Sequence, residues 1–385
     1  MDTKQVTDLL ERYEKGTASA AERKLLEHWF VRASAPEEHD EAAENYLGIQ
    51  HQMWLKIYAA TVKETPKRKI TRKRIIAAAA ILIAVLSTFV ILNSIEDSAQ
   101  ERYANDIPAP KGNHATITLA NGKTITLNDT KTGVVINATK LTYSDGSKIE
   151  NPAIGGRLNT TYSPLHTLTV TTPRGGQYQI TLPDGTIAQM NAGSSLTFPA
   201  NFAALKERAV QMTGEIYFTV VHNSKQPFRV ISRDQVVEDI GTQFNINAYA
   251  DEPTIKTTLV EGSAKVQSSS PQSVTTNDLT SVILTPNNQS TLQGGSLRVN
   301  AVDPSLVTAW KNGKFRCKNE TLESLMRKIS RWYNVEVIYE DNEVKNQTFT
   351  GTLSRFASVS EILKRISLTG EAEFKIEGRK IIVTK

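Results

Sequence analysis

Eighteen consecutive residues, Ile75–Leu92 (IIAAAAILIAVLSTFVIL), carry no charge. As a helix this run is roughly 27 Å long at about 1.5 Å per residue, close to the thickness of bilayer hydrocarbon. A buried core helix and a signal-peptide core are the other readings of such a run. A signal peptide sits at the N-terminus and ends at a small-residue cleavage site. Here 74 residues come first, and SIEDSAQ, which follows, offers no such site. The run predicts one transmembrane helix, and everything else in the chain falls on one side of it or the other.

Charge sets the expected orientation. Residues 1–66 carry 8 basic and 12 acidic residues, KRKITRKR (67–74) carries six basic residues and no acid, and residues 75–385 carry 31 basic and 28 acidic residues. The net charge of +5 is thus owed to one eight-residue block. No basic face is spread over a fold, as duplex binding would require, so no direct nucleic-acid partner is expected. The block lies against the N-terminal end of the apolar run, and Glu96 and Asp97 follow its other end. The positive-inside rule then puts residues 1–74 in the cytoplasm and residues 93–385 beyond the membrane. The lipid bilayer is itself a partner, through one span.

Residues 1–64 read as a small all-α module of three helices. Val6, Leu9, Leu10 and Tyr13 form one apolar stripe at helical spacing. Gly16 closes that helix, and Ser19 with Glu22 forms a capping box for the next. The second helix carries Leu25, Leu26, Trp29 and Phe30 and stops before Pro36. The third carries Tyr46, Leu47, Met53, Trp54 and Ile57 toward the membrane. Two tryptophans and three tyrosines are a large aromatic load for so small an interior. Part of that surface is expected to meet a partner, with Leu9, Leu10, Tyr13, Leu25, Trp29 and Phe30 as core or contact positions.

Beyond the membrane, short alternating runs broken by turn residues extend from His114 to about Val299. Asn121-Gly122 and Asp184-Gly185 each sit between two such runs and predict hairpins. Further strands are expected over 214–221, 228–231, 236–240, 243–249, 254–260, 263–266 and 282–284. An all-β domain follows, a sandwich or a short solenoid. From residue 314 the pattern changes to strand–helix–strand, twice. Leu322, Leu325, Met326 and Ile329 recur at an offset of 37 as Val359, Ile362, Leu363 and Ile366. This predicts an α+β domain of duplicated β-α-β units. The chain is multidomain: helical module 1–64, basic linker 65–74, span 75–92, linker 93–113, β domain 114–300 and C-terminal domain 301–385.

Reactive constellations are sparse. The single Cys317 excludes an intramolecular disulfide and any cysteine-cluster metal site. The six histidines form no close pair, and neither a P-loop nor a G-x-S-x-G elbow occurs. No cofactor, no metal and no enzymatic activity are expected. Asp184, Glu215 and Asp239 are carboxylates of the β domain with the reach to pair in space, but solvated carboxylates are the ordinary case. Gly241-Thr242, in DIGTQFNI, is a different kind of candidate. A threonine hydroxyl can attack the preceding carbonyl in an N→O acyl shift where the backbone is strained. A structural turn is the favoured reading of that dipeptide, and self-cleavage the weaker one.

Three blocks then carry a resemblance: TPRGGQYQITLPDGTIAQMNAGSSLTFP (172–199), MTGEIYFTVVHNSKQPFRV (212–230) and DIGTQFNINAYADEPTIKTTLVEGSAKV (239–266). In order and spacing they resemble the FecR family of anti-sigma factors and sigma regulators. LLERYEKGTASAAERKLLEHWF (9–30) is similar to the family's cytoplasmic N-terminus, and the C-terminal repeat to the secretin/TonB short domain. One departure is Gln189-Met190, where the pattern favours a bulkier apolar pair.

The resemblance implies a single-pass inner-membrane protein with a cytoplasmic N-terminus and a periplasmic C-terminus. Its N-terminal helices would hold an extracytoplasmic-function sigma factor. Its periplasmic part would receive a signal from the periplasmic signalling domain of a TonB-dependent outer-membrane receptor, controlling transcription of nutrient-uptake genes. Periplasmic and intramembrane proteases are further implied partners. Some members cleave themselves at a Gly-Thr bond, and Gly241-Thr242 matches that position. Two other readings stay open: a membrane-anchored periplasmic binding or adhesion protein, and an envelope glycan hydrolase.

Overall fold

The computed structural model describes residues 3–33, 103, 106–110, 113–137, 140–149, 167–239, 241–269 and 279–385. The chain divides into two compact units, 1–87 and 88–385. The expected third helix, the basic block and the span at 75–92 lie outside the described residues. No helix among the described residues is long and apolar enough to cross a membrane.

In the first unit, α1 (Thr3–Glu14) and α2 (Ala20–Ala33) are joined by a tight turn. Gly16 takes φ +71° there, and the amides of Gly16 and Thr17 return to the carbonyls of Tyr13 and Arg12. Those bonds satisfy carbonyls that the end of a helix leaves unpaired. The capping box forms as expected. Ser19 Oγ accepts from the Glu22 amide at 3.3 Å, and the Glu22 carboxylate accepts from the Ser19 amide at 2.8 Å. Arg12 then pairs with Glu22 at 2.7 Å, tying α1 to the start of α2.

The second unit begins with a curled sheet. Its strands are β1 (Thr116–Thr118), β2 (Thr124–Thr126), β3 (Gly133–Asn137), β4 (Lys140–Tyr143), β5 (Thr167–Thr171), β6 (Tyr178–Thr181), β7 (Ile187–Met190), β8 (Ser195–Pro199) and β9 (Arg208–Thr219). There follow β10 (Phe228–Ser232), β11 (Gln235–Asp239), β12 (Gln243–Ala248), β13 (Ile255–Glu261), β14 (Ala264–Ser268), β15 (Ser281–Leu284), β16 (Asn288–Gln293) and β17 (Ser296–Ala301). One face runs β2-β1-β5-β8-β9-β10-β11-β14-β15. The other runs β4-β3-β6-β7-β9-β12-β13-β16-β17.

Strand β9 belongs to both faces. Residues 208–213 pair with β8 and β10, and residues 214–219 pair with β7 and β12. The change of face falls at Gly214, whose φ is +83°. A Cβ there would stand 2.7 Å from Ser194 Cα. Only glycine allows both that backbone angle and that approach. Ser194 Oγ accepts from the Glu215 amide at 2.9 Å, satisfying the bend. The two faces close on one core, in which the Phe218 and Phe244 rings stack at 5.3 Å and Phe228 sits 5.9 Å from Phe218. Among the described pairings of this sheet only β9–β10 and β3–β6 are parallel. A sheet folded on itself, rather than a solenoid of parallel coils, accounts for that.

The C-terminal part holds β18 (Lys314–Thr321), α3 (Leu322–Tyr333), β19 (Glu336–Tyr339), β20 (Thr348–Ser354), α4 (Val359–Ser367), β21 (Glu373–Glu377) and β22 (Lys380–Thr384). The repeat is visible in the helices. All eight apolar residues matched at the offset of 37 are buried in one core. The caps match too: Thr321 accepts from the Ser324 amide and Ser358 from the Glu361 amide. Strand pairing departs from two self-contained β-α-β units. β18 pairs with β20, its counterpart, while β19 pairs with β22, which also pairs with β21. The two units interlock, so neither buries its sheet alone.

Candidate functional site

The N-terminal helix pair buries only part of its apolar stripe. Val6 and Leu9 are buried and Leu10 is half-buried, whereas Tyr13 is 52% exposed and Leu25 53% exposed. Trp29 and Phe30 lie in α2, with side chains outside the described residues. Of the six candidate contact positions, Leu9 therefore serves the pair itself. Tyr13 and Leu25 are left to solvent.

The Gly241-Thr242 bond lies where the chain passes from β11 on one face to β12 on the other. Gly241 has φ +94°, in the region that favours glycine. Asp239 organises the turn. One carboxylate oxygen accepts from the Gly241 amide at 3.0 Å, and the other accepts from the Thr242 hydroxyl. Burial pushes the Asp239 pKa above the usual carboxylate range, although the bonds from Thr242 and Gly241 oppose it. The His222 ring lies against Gly241, 3.0 Å from where a Cβ would stand. A second corner, at Gly262 (φ +86°), packs so closely on the Gly241 carbonyl that a side chain at 262 would overlap it. A buried threonine hydroxyl, a carboxylate accepting its proton and a constrained preceding carbonyl thus meet at one bond. Sequence reasoning singled out Gly241 and Thr242 but gave Asp239 another role. The Asp-x-Gly-Thr spacing, an Asx-type turn, is the signal that joins them.

The other carboxylates have separate partners. Asp184 pairs with buried Arg208 at 2.6 Å. Glu215 accepts from Asn191 at 2.7 Å and from Asn245 at 3.0 Å. The Arg208 charge also acts on Asp239, so Asp184 and Asp239 lie about one arginine, whereas Glu215 has its two asparagine partners. At the sequence departure, Gln189 donates to Gln179 across β6–β7 at 3.1 Å, and Met190 is fully buried. Cys317 is buried, and burial pushes its thiol up to about 11, which leaves it unreactive near neutral pH.

A polar seam joins the sheet to the C-terminal part. Arg331 of α3 lies over the Tyr249 ring at 4.0 Å and pairs with Asp251 at 2.8 Å and Glu252 at 2.7 Å. Arg327 also reaches Glu252, at 2.9 Å. Arg355, 2% exposed, stacks on Trp332 at 3.7 Å and donates to Asn191 Oδ1 at 2.9 Å and to the Trp310 carbonyl at 3.0 Å. Burial lowers its pKa to about 10, so the charge persists at neutral pH. A cavity of about 310 Å³ opens beside these residues. None of this seam was foreseen from the sequence, because each half is polar and locally unremarked.

Residues 168–265 match the model of the FecR protein family, and residues 314–383 match that of the FecR C-terminal domain. The chain belongs to the FecR family. The FecR match spans β5 to β14 and includes both β9 and the Gly241-Thr242 corner. The last segment, likened above to the secretin/TonB short domain, is matched as the FecR C-terminal domain.

Two crystal structures of a "putative anti-sigma factor" from Parabacteroides distasonis ATCC 8503, at 2.50 Å and 1.65 Å resolution, are similar to this FecR-family chain. Both are 27% identical to it with a TM-score of 0.51. The likeness covers 57% and 56% of this chain and 99% and 98% of theirs. No curated protein matches the chain.

Proposed function

We propose that this FecR-family protein is a sigma regulator anchored in the inner membrane by one span, Ile75–Leu92. Its cytoplasmic helices hold an extracytoplasmic-function sigma factor. Its periplasmic sheet and C-terminal domain take the signal from the periplasmic signalling domain of a TonB-dependent receptor. The observation that carries this reading is the joint presence of FecR and FecR C-terminal domains in a chain similar to an anti-sigma factor structure. The helix pair adds to it, because it leaves Tyr13 and Leu25 uncovered beside a minimal core. A module this small gains stability by mass action when a partner binds its folded form.

Deletion of residues 1–60 tests the reading. A regulator loses its effect on transcription of the neighbouring uptake genes, whereas an anchored periplasmic binder retains its function.

A second reading concerns Thr242 and rests on the Asp239 contact. With Asp239 taking the hydroxyl proton, Thr242 Oγ attacks the Gly241 carbonyl carbon. The C–N bond breaks, the proton passes to the released amine, and an ester links Gly241 to Thr242. Water then hydrolyses that ester, leaving a carboxylate at Gly241 and a free amino group on Thr242. Expression of the intact chain, with Thr242→Ala alongside, tests it. Fragments 1–241 and 242–385 in the wild type alone support it, and a single full-length band in both contradicts it.

A further inference from the structure

Residues 106–110 (Asp-Ile-Pro-Ala-Pro) lie far from the C-terminal domain in sequence and yet are bound to it. The two carboxylate oxygens of Asp106 accept from the Ser360 amide at 2.9 Å and the Ser360 hydroxyl at 2.7 Å. The Ile107 carbonyl accepts from the Val359 amide at 2.9 Å. These are amides of the first turn of α4, which has no carbonyl of its own to offer them. A carboxylate there also meets the positive end of the helix dipole. Partial burial raises the Asp106 pKa, but bonds from Ser358, Ser360 and Ile107 outweigh it and hold the group below the usual range.

The apolar side of the segment is equally engaged. Ile107 is buried in the C-terminal core with Phe315, Val359 and Leu363, and Ala109 packs against that core. Lys364 of α4 sits 5.2 Å above the Tyr103 ring. At the far end, Pro110 reaches the sheet. A Cβ added to Gly175 would stand 3.3 Å from Pro110 and 3.2 Å from the Trp332 carbonyl, and the Gly175 amide donates to the Arg331 carbonyl at 2.9 Å. The segment therefore runs along the seam and touches both domains. Pro108 and Pro110 restrict it to extended backbone, which lowers the entropy lost when it docks.

We propose that residues 106–110 are a releasable strap: they pin the segment following the apolar run to the α4 end of the domain seam, and loosening that seam exposes the strap to proteolysis. This rests on the membrane-regulator reading above only for its physiological sense. Residues 93–105 are all that separates the strap from the apolar run in sequence. A change at the seam would then be felt at the membrane without contact between ligands in different compartments.

The test uses the full chain in detergent, treated with chymotrypsin, which cuts after Tyr103, the residue whose ring lies against Lys364 at the start of the strap. Val359→Pro removes the amide that binds Ile107. Position 359 is the first of α4, where proline is favoured, and Ser358 before it is already extended at ψ 162°. Asp106→Asn, at a surface residue, is the second variant and guards against misfolding of the first. The wild type should be cut after Tyr103 at least tenfold more slowly than a free peptide of residues 101–112. Each variant should be cut at least fivefold faster than the wild type; Asp106→Asn should leave the melting temperature of the remainder unchanged, whereas Val359→Pro also loses core packing at a fully buried position. A wild type cut as fast as the peptide, or variants cut no faster than the wild type, would overturn the strap. In cells, Asp106→Asn should lower the amount of full-length chain at least threefold, and an unchanged amount would refute proteolytic control. Neither readout involves a sigma factor, so failure here is separable from failure of the regulator reading.

Discussion

Arg331 of α3 donates to Glu252 of the β13 approach at 2.7 Å, binding the C-terminal domain to the sheet through a guanidinium that is almost wholly buried. Arg327 uses the other oxygen of the same carboxylate, so one glutamate holds two arginines. Removing it leaves Arg331 with Asp251 and Arg327 with Glu323, both carboxylates about half exposed, in place of the shared buried one. Glu252→Ala should destabilise the unit spanning 88–385 by about 1–2 kcal/mol, less than a stranded buried charge costs, read from urea midpoints.

The same carboxylate gives a pH dependence. Burial raises the Glu252 pKa, but Arg327 and Arg331 lower it further, and the net shift is downward from 4.5. Its stabilisation is complete above the unfolded value and is lost as pH falls through the lower folded value. Stability of the wild type should therefore drop more steeply below about pH 4.5 than that of Glu252→Gln. Parallel denaturation series at pH 6 and pH 4 check this, and equal slopes would contradict it.

The change of face in β9 depends on Gly214. Gly214→Ala places a Cβ against Ser194 at a backbone angle that L-residues avoid, and should cost about 2–3 kcal/mol. Gly378→Ala, at φ +60° with open space around it, should cost only about 1 kcal/mol. Thermal melts of the two variants compare the effects of crowding and backbone angle with that of backbone angle alone.

Much of this architecture is legible in the residues, and the failures have physical causes. The Asn121-Gly122 and Asp184-Gly185 signals give hairpins because both glycines take positive φ, at +79° and +86°. The repeat at offset 37 is legible because core helices need apolar residues at fixed spacing. Strand β16 was not expected, since buried Ser290 stands where the alternation calls for an apolar side chain. Strands β3 and β4 are short and lie either side of a break, and β17 buries only Leu297. For β5 and β8 the alternation is only two apolar residues long, Leu168 with Val170 and Leu196 with Phe198, too short a run to mark a strand's bounds. The seam and the strap escape any local pattern. Arg355 meets Asn191, and Asp106 meets Ser360, only after the chain has folded over long separations.

At the Gly241-Thr242 corner the expected outcomes are graded. Asp239→Asn keeps the shape but removes the carboxylate that receives the hydroxyl proton, and should slow fragment formation at least tenfold. Acidification through the raised pKa of Asp239 should slow it in the wild type as well, because the protonated acid cannot accept that proton. Quantified gel bands over time, from pH 7 to pH 4, give both results.

The helix pair offers the most direct trial of the regulator account. Tyr13 and Leu25 are exposed and Leu9 is buried, so their alanine variants should separate contact from core. The measurement is calorimetric titration of residues 1–64 with the extracytoplasmic-function sigma factor encoded beside this gene, paired with circular dichroism of each variant. The account predicts saturable binding that Tyr13→Ala and Leu25→Ala each weaken at least tenfold with helicity intact, whereas Leu9→Ala lowers helicity itself. No detectable heat or co-elution with the wild-type module, at concentrations where it is folded, would contradict it.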